Sequence, residues 1–535
     1  MAATTMTLKR PVPSRVATVE EVKLGLRRGL FVQVFEEGRN LLIAQKNSPI
    51  NGPMAVAAAA MGNQADSELY LTAARLSMEP DLPAQEWACE ALHALNAGDY
   101  EQASTKATTA SRAGTGGTIA PFILAQAAYA KRDFDAVIRH ASAALELEPA
   151  MAPAHLFKGL ALYGQGKRIE AFASLNSAAN ADPRDLRPRE TAAQILAEAG
   201  RFDAAATVYR GILEISPGSV AIRVRLMWVL FNSGNLEGAR TEAGLLLKAD
   251  PNSADATYVL ALVQARSRQY PDAIKSLGQL AKLKPESAQS FYQAGLVNLA
   301  AGQPANALKD LDRVAAFPAA KAGALAAKGV ISHLTGDTAA AERLLTEALA
   351  GANSGLAERI HFHLGLVALG KRDWIIARRE FAASGDYIAN FHPELIDWAR
   401  HYGSAPKGEA ASISAGCLLL AENLFEPARD FFKRTTSPHL SDVLAMYLEA
   451  SVAARQLQFD EAFRLLEKVT ALQPGYWPAI YAIGEIHLSR QERDQAISFY
   501  LRVVEIDPAN EPAKRRLEEV AKAKAETGPK PSSSK

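Results

Sequence analysis

The amino-acid sequence predicts an all-α solenoid, a stack of about 11–12 helix–turn–helix repeats. Three observations carry that expectation. Prolines recur at intervals of 34 residues through Pro149, Pro183, Pro217, Pro251 and Pro285. An alanine keeps the same interval at Ala171, Ala205, Ala239, Ala273, Ala307 and Ala341, and the train returns at Ala428, Ala462 and Ala496 with Pro474 and Pro508. Between these marks the apolar residues fall at helical spacing.

One repeat shows how the period becomes structure. In WPAIYAIGEIHLSRQERDQAISFYLRVVEIDPAN, residues 477–510, Ile480, Ile483, Gly484 and His487 recur along a first helix. A polar turn passes Gln491, then Ala496, Phe499, Tyr500 and Val503 mark a second helix that Pro508 ends. Small residues at position eight (Gly159, Ala193, Ala261, Gly295, Gly329, Gly365, Gly416, Ala450, Gly484) and at position twenty let the two helix axes approach closely. Glycine near position fifteen (Gly98, Gly166, Gly200, Gly234, Gly302, Gly336) supplies the positive φ of the turn. An aromatic or aliphatic residue at position seventeen, such as Phe134 or Tyr270, packs beneath it.

The beat breaks once in the body of the chain. From Ala377 to Ala428 the interval is 51 residues, one repeat plus 17. The stretch HPELIDWARHYG supplies an extra helix: Pro393 suits its first turn, Leu395, Ile396, Trp398 and Ala399 give it an apolar side, and Gly403 can stop it. His392 and His401 have no acid or cysteine at ligand spacing, so this aromatic crowd reads as packing across a fault in the stack. The expected order is a flexible N-terminus (1–18), degenerate helical repeats or an N-terminal cap (19–83) and an N-terminal array (84–384). An irregular insert with one extra helix and a joint (385–408) follows, then a C-terminal array of three repeats (409–510), a charged capping helix (511–526) and a disordered tail (527–535). The insert is a candidate hinge or binding ledge.

Composition narrows the function classes. Of 535 residues, 48% are hydrophobic and 22% charged, as in a folded chain. Lys plus Arg number 59 against 58 Asp plus Glu, so no overall charge draws the chain to nucleic acid or anionic membrane. Basic clusters such as Lys514–Arg516 alternate with acids and read as solvated helix. No apolar run is long enough to span a bilayer or to serve as a signal peptide, so a cytoplasmic location is expected. Cys89 and Cys417 sit in apolar helical patterns and read as buried hydrophobes, which fits a reducing compartment.

Period and positional preferences together resemble the tetratricopeptide-repeat family over about residues 84–510. The resemblance implies a right-handed superhelix whose first helices line a concave groove that binds a peptide or protein. In such repeats positions two, five, nine, twelve and thirteen of the first helix tend to face the groove. Here those positions hold Phe122, Tyr258, Tyr292, Phe362, Tyr447 and Tyr481 (five), Trp228 (nine) and Tyr129, Tyr163 and Phe231 (twelve), an aromatic row suited to holding a polypeptide. Any one of these rings could instead pack helix against helix. Position nine carries no Asn, so the carboxylate clamp of the co-chaperone relatives is missing as a set, and position six lacks the Asn ladder of the sugar-transferase relatives.

Chemistry-bearing motifs are equally absent. AGTGGT, residues 113–118, lacks the Gly-Lys-Ser/Thr ending of a phosphate loop and follows a helix, so it reads as a helix-joining loop. His361 and His363 are two apart, which on a helix points the rings about 200° apart and away from a shared metal. No enzyme activity, cofactor or metal is therefore expected. The sequence supports a non-catalytic scaffold for a partner polypeptide, with a bacterial envelope, pilus or polysaccharide assembly system as the setting family analogy offers. The alternative is a regulatory or substrate-presenting subunit whose catalytic chain is separate. Self-association through an exposed helical face stays open.

Overall fold

The computed structural model describes residues 16–79, 81–384, 407–422, 424–433, 442–456, 458–490, 492–508 and 510–527. Among them are 29 α-helices, one short 3-10 helix at Pro318–Ala320 and no strand. Of the extra helix and joint expected at 385–408, residues 385–406 lie outside the described residues, as do 1–15 and 528–535, while Lys407 and Gly408 begin a helix. The chain divides into two compact units, Met1–Ile222 and Arg223–Lys535.

The first unit contains α1 (Val19–Arg27), α2 (Phe31–Ala44), α3 (Asn51–Ala60), α4 (Gln64–Leu76), α5 (Leu82–Asn96) and α6 (Tyr100–Arg112). It continues with α7 (Ile119–Ala130), α8 (Phe134–Leu147), α9 (Ala152–Gly164), α10 (Arg168–Ala181), α11 (Arg187–Glu198) and α12 (Phe202–Ile215). AGTGGT joins α6 to α7. Helix α13 (Val220–Asn232) begins at its end and lies mostly in the second unit.

The second unit runs through α14 (Leu236–Ala249), α15 (Ala254–Arg266), α16 (Tyr270–Leu283), α17 (Ala288–Ala300), α18 (Pro304–Ala315), α19 (Lys321–Leu334), α20 (Thr338–Leu349), α21 (Ser354–Gly370) and α22 (Trp374–Ala383). Beyond the undescribed stretch come α23 (Lys407–Ala421), α24 (Phe425–Lys433), α25 (Asp442–Arg455), α26 (Phe459–Leu472), α27 (Trp477–Ser489), α28 (Arg493–Ile506) and α29 (Glu511–Thr527).

The local chemistry of each hairpin follows the repeat. Asp99, Asp133, Asn235, Asp337 and Asp373 each cap a second helix by accepting a backbone N–H two residues inside it. Among the described residues, the one closing the preceding turn has positive φ: glycine at 98, 166, 200, 234, 302 and 336, but arginine at 132, 268 and 372, with φ of 58°, 60° and 63°. The turn geometry thus persists where glycine is lacking, at a steric penalty of about 1–2 kcal/mol for a residue with a Cβ. Every alanine of the recurrent train is fully buried. At position eight a Cβ on Gly365 would lie 2.4 Å from the ring of Phe381, and one on Gly416 would lie 2.4 Å from that of Phe432. Absence of a side chain there lets an aromatic from the paired helix fill the space.

First and second helices form separate layers. Helices α3, α5, α7, α9 and α11 touch one another in series, as α19 and α21 do, whereas successive second helices do not approach as closely. The layer of first helices is the more closely spaced of the two and is referred to as the inner layer of each unit. Helix α3 is buried nearly all round, and its N-terminus is satisfied from a distance: the buried Glu79 carboxylate accepts from Asn51 N (2.9 Å), Asn51 Nδ2 (2.7 Å) and Gly52 N (2.9 Å).

Candidate binding surface

The aromatic positions of the first unit lie along the inner layer but differ in access. Phe122 on α7 is 3% exposed, covered by Phe31 (centroids 5.8 Å apart) and flanked by Phe157 (6.0 Å). Its cover comes from the first residue of α2, held in place by the turn before it. Thr118 Oγ1 donates to Arg27 O at 3.2 Å and Ala152 N to Arg28 O at 3.1 Å. Gly29, with φ of 70°, passes so close to Pro153 that a Cβ would lie 2.6 Å from its ring. The N-terminal hairpin is thus seated on the leading ends of α7 and α9. Farther along the same layer, Tyr129 is half-buried, 5.5 Å from Phe157. Tyr163 is half-buried too, its hydroxyl donating to Glu198 and accepting from Gln194 Nε2 at 3.0 Å. Burial and that carboxylate push the phenol up to about 12, and the phenol holds the Glu198 carboxyl below its usual range.

In the second unit the inner layer is occupied by the chain itself. Helix α23 packs on α19 and α21, and α24 reaches α15. Residues Ala410–Leu419 are buried without interruption, so this stretch of α23 has no solvent face. Polar contacts fix the seat. His363 Nδ1 meets Ser414 Oγ at 2.8 Å, Tyr292 Oη reaches Glu422 Oε1 at 3.4 Å, and Arg359 lies 3.9 Å from the same carboxylate. Arg268 pairs with Glu426 at 3.3 Å and Asp430 at 3.1 Å. Phe362 is fully buried, 5.8 Å from Phe381. Tyr292 packs against this core.

At the near edge of the hairpin a cavity of about 230 Å³ remains, walled by Trp228, Phe231, Tyr258, Arg266, Gln293, Glu422 and their neighbours. Trp228 stands edge-on to Phe231 at 5.9 Å and tilted against Tyr258 at 5.9 Å. Phe231 is buried beneath the Arg266 guanidinium, which lies 3.8 Å from its ring centre, donates to Phe231 O at 3.0 Å and faces Phe425 at 4.8 Å. Burial lowers Arg266 to about 10 and raises the Glu422 carboxyl.

The last two aromatic positions sit in the C-terminal hairpins. Tyr447 is buried, edge-on to Tyr476 at 5.6 Å. Tyr481 is half-buried, 5.4 Å from Tyr500 and beside the Arg516–Glu485 pair contributed by α29 and α27. Burial pushes its phenol up to about 12. Of the aromatic row, then, Tyr129, Tyr163, Trp228, Tyr258, Tyr292 and Tyr481 keep some exposure, while Phe122, Phe231, Phe362 and Tyr447 are buried.

His361, His363 and the two cysteines are accounted for locally. His361 Nδ1 bonds Glu380 at 2.8 Å, and His363 turns to Ser414 instead, so the two rings diverge. Burial raises the Cys89 thiol to about 11 and the Cys417 thiol to about 12, which keeps both protonated and unreactive. Sequence reasoning missed Arg266, Gln293, Glu422 and the hairpin that brings them together. One signal was available: AASISAGCLLLA, residues 410–421, carries no charge on any face, which marks a helix buried all round.

Two family models described as Tetratricopeptide repeat match the chain, one at residues 196–262 and 453–519, the other at 158–220 and 258–324. No curated protein matches the sequence. Among solved structures, the chain is similar to a tetratricopeptide repeat protein from Parabacteroides merdae, with 16% identity over 49% of this chain and 95% of that one and a TM-score of 0.37. Yeast Tom70 is similar with 14% identity over 84% and 97% of the two chains and a TM-score of 0.29. YrrB, described as a TPR protein with an unusual peptide-binding site, shows 16% identity over 33% and 91% and a TM-score of 0.29.

Proposed function

The chain belongs to the tetratricopeptide-repeat family, and we propose that it is a non-catalytic scaffold holding a partner polypeptide against the inner layer of its helices. The observation that carries this reading is that the inner layer already holds polypeptide. In the second unit α15, α17, α19 and α21 grip α23 and α24 through aromatic, histidine and arginine side chains. The same layer elsewhere presents half-exposed Tyr129, Tyr163, Trp228 and Tyr258. Such rings combine large contact area with few rotamers to freeze, which suits anchor residues. Among the described residues no helix is long and apolar enough to cross a membrane. An envelope, pilus or polysaccharide assembly system is the setting we attach to this reading, on family analogy.

Affinity capture of the full chain followed by mass spectrometry tests it. Changing Tyr163 and Trp228 together to Ala should reduce recovery of the captured polypeptide by about tenfold or more, since buried aromatic anchors dominate such interfaces, with helical circular dichroism unchanged. Undiminished capture by that variant would remove the inner layer from the reading. A catalytic chain recurring in the capture would favour a subunit that presents substrate to an enzyme.

A further inference from the structure

We infer that the cavity between α1, α3, the start of α5 and the loop joining α6 to α7 binds an acidic side chain of the partner polypeptide together with an apolar neighbour. This rests on the scaffold reading above and names what one part of the first unit recognises. The cavity measures about 430 Å³, within the roughly 300–1,000 Å³ of pockets for drug-sized ligands and large enough for more than one residue. It lies beside the seat of the N-terminal hairpin, where Thr118 Oγ1 donates to Arg27 O. Apolar residues supply much of the wall, Leu26 from α1, Val56 from α3, Trp87 from α5 and Ile119 from α7. Leu26 and Trp87 are half-buried and pack against the core that α3, α5 and α7 share, so an apolar side chain laid on them would extend that core.

Charge selects the guest. Lys23 and Arg27 line the cavity from α1, four residues apart and therefore on one face of the helix. Among the described residues neither side chain makes an ion pair or a hydrogen bond. Like charges at that spacing repel, and a carboxylate held by both relieves the repulsion. Asp81 is the one carboxylate among the lining residues, and it pairs with neither cation. The start of α7 adds to the same field. Thr118 and Ile119 line the cavity there, no acid stands in the first turn, and the Thr118 side chain does not cap the helix. The start of α3, by contrast, is already satisfied by Glu79. A basic guest would meet both cations, a neutral one would leave them as they are, and a run of acids would meet Asp81. One acidic residue with apolar company matches both the charges and the walls.

Saturation-transfer NMR on the full-length protein tests the assignment with the blocked tripeptide acetyl-Leu-Glu-Leu-amide as probe. The same peptide with Gln or Lys at its centre, acetyl-Ser-Glu-Ser-amide and free glutamate serve as comparisons. At low salt the Glu probe should bind about tenfold more tightly than the Gln one, as a charge-assisted contact implies. That margin should shrink toward nothing near 1 M salt, where the Debye length is about 3 Å. The Ser-flanked probe should bind about tenfold more weakly, since its flanks bury little apolar area. Lys23→Gln with Arg27→Gln should erase the preference for Glu, and Lys23→Glu with Arg27→Glu should turn it toward the Lys probe. Neither side chain is buried, so circular dichroism should stay unchanged in both variants. Amide exchange should slow in residues 19–27 and 113–118 when the Glu probe binds. Equal binding of the Gln probe, a Glu preference that survives loss of both cations, or unaltered exchange in those two segments would overturn the pocket. Free glutamate bound as tightly as the blocked probe would overturn a polypeptide source, and a Ser-flanked probe of equal affinity would overturn the apolar half. A working pocket in a protein that captures no polypeptide would sink the scaffold reading alone.

Discussion

Acid should loosen α23 from its seat. His363 is 3% exposed beneath Ser414, and His333, 4% exposed on the neighbouring α19, has no partner for its Nδ1. Burial lowers both, His363 to about 3 and His333 to about 4, with His333 and Arg359 adding to the effect at His363. Opening hydrates the rings and returns them toward 6.5. Between those values the open form binds more protons than the closed one, so the stabilisation is complete above pH 6.5 and is lost as pH falls toward 4 and then 3. At pH 5 the loss is about 2 kcal/mol for each ring hydrated, from 1.36 kcal/mol per pH unit. Protection of the α23 amides should therefore fall by about 30-fold if only His363 is hydrated and by about 1,000-fold if both rings are. Hydrogen exchange of peptides covering 410–419, corrected for intrinsic rates and compared at pH 7.5 and 5, reads this directly. His363→Gln keeps a hydrogen-bonding group near Ser414 and should remove about 30-fold of the pH effect. Equal protection at the two pH values, or a full pH effect in the Gln variant, would refute the reasoning.

Gly365→Ala should lower the urea midpoint by the equivalent of about 1–3 kcal/mol, because the new methyl meets the buried Phe381 ring; adding Phe381→Leu should restore part of it, and a neutral single variant would contradict the close approach. Arg132→Gly should raise the thermal midpoint, worth about 1 kcal/mol, by relieving positive φ without a Cβ, and a fall would show that the arginine is held by something stronger. Glu79→Ala strips three donors at the head of α3 and should cost about 2–3 kcal/mol, visible as faster amide exchange in Asn51–Ala60; unchanged exchange there would mean that another group or water caps the helix.

The all-α repeat fold was legible in the sequence because its determinants are local and periodic. Alanine at position twenty and glycine at position eight are steric necessities of two close helices, so they recur wherever the pair recurs. The positive-φ turn was legible in most repeats, but Arg132, Arg268 and Arg372 show that geometry can persist where the glycine signal fails. What covers the inner layer was not legible. Phe31 over Phe122 and α23 over Phe362 are contacts between elements far apart in sequence, set by where a hairpin of the same chain comes to rest. Position within a repeat says which face a ring occupies. It does not say whether the chain's own hairpin will cover it, and so Trp228 and Tyr258 keep open surface where Phe362 has none.

Site-specific photocrosslinking tests the inner-layer reading most directly. A photoreactive phenylalanine analogue placed at Tyr163 or Trp228 in the full chain, with the same residue at the outward-facing Ile169 as control, should trap one polypeptide at the first two positions and not at the third. Trapping confined to Ile169, or no difference between the three, would contradict a partner held by the inner helices.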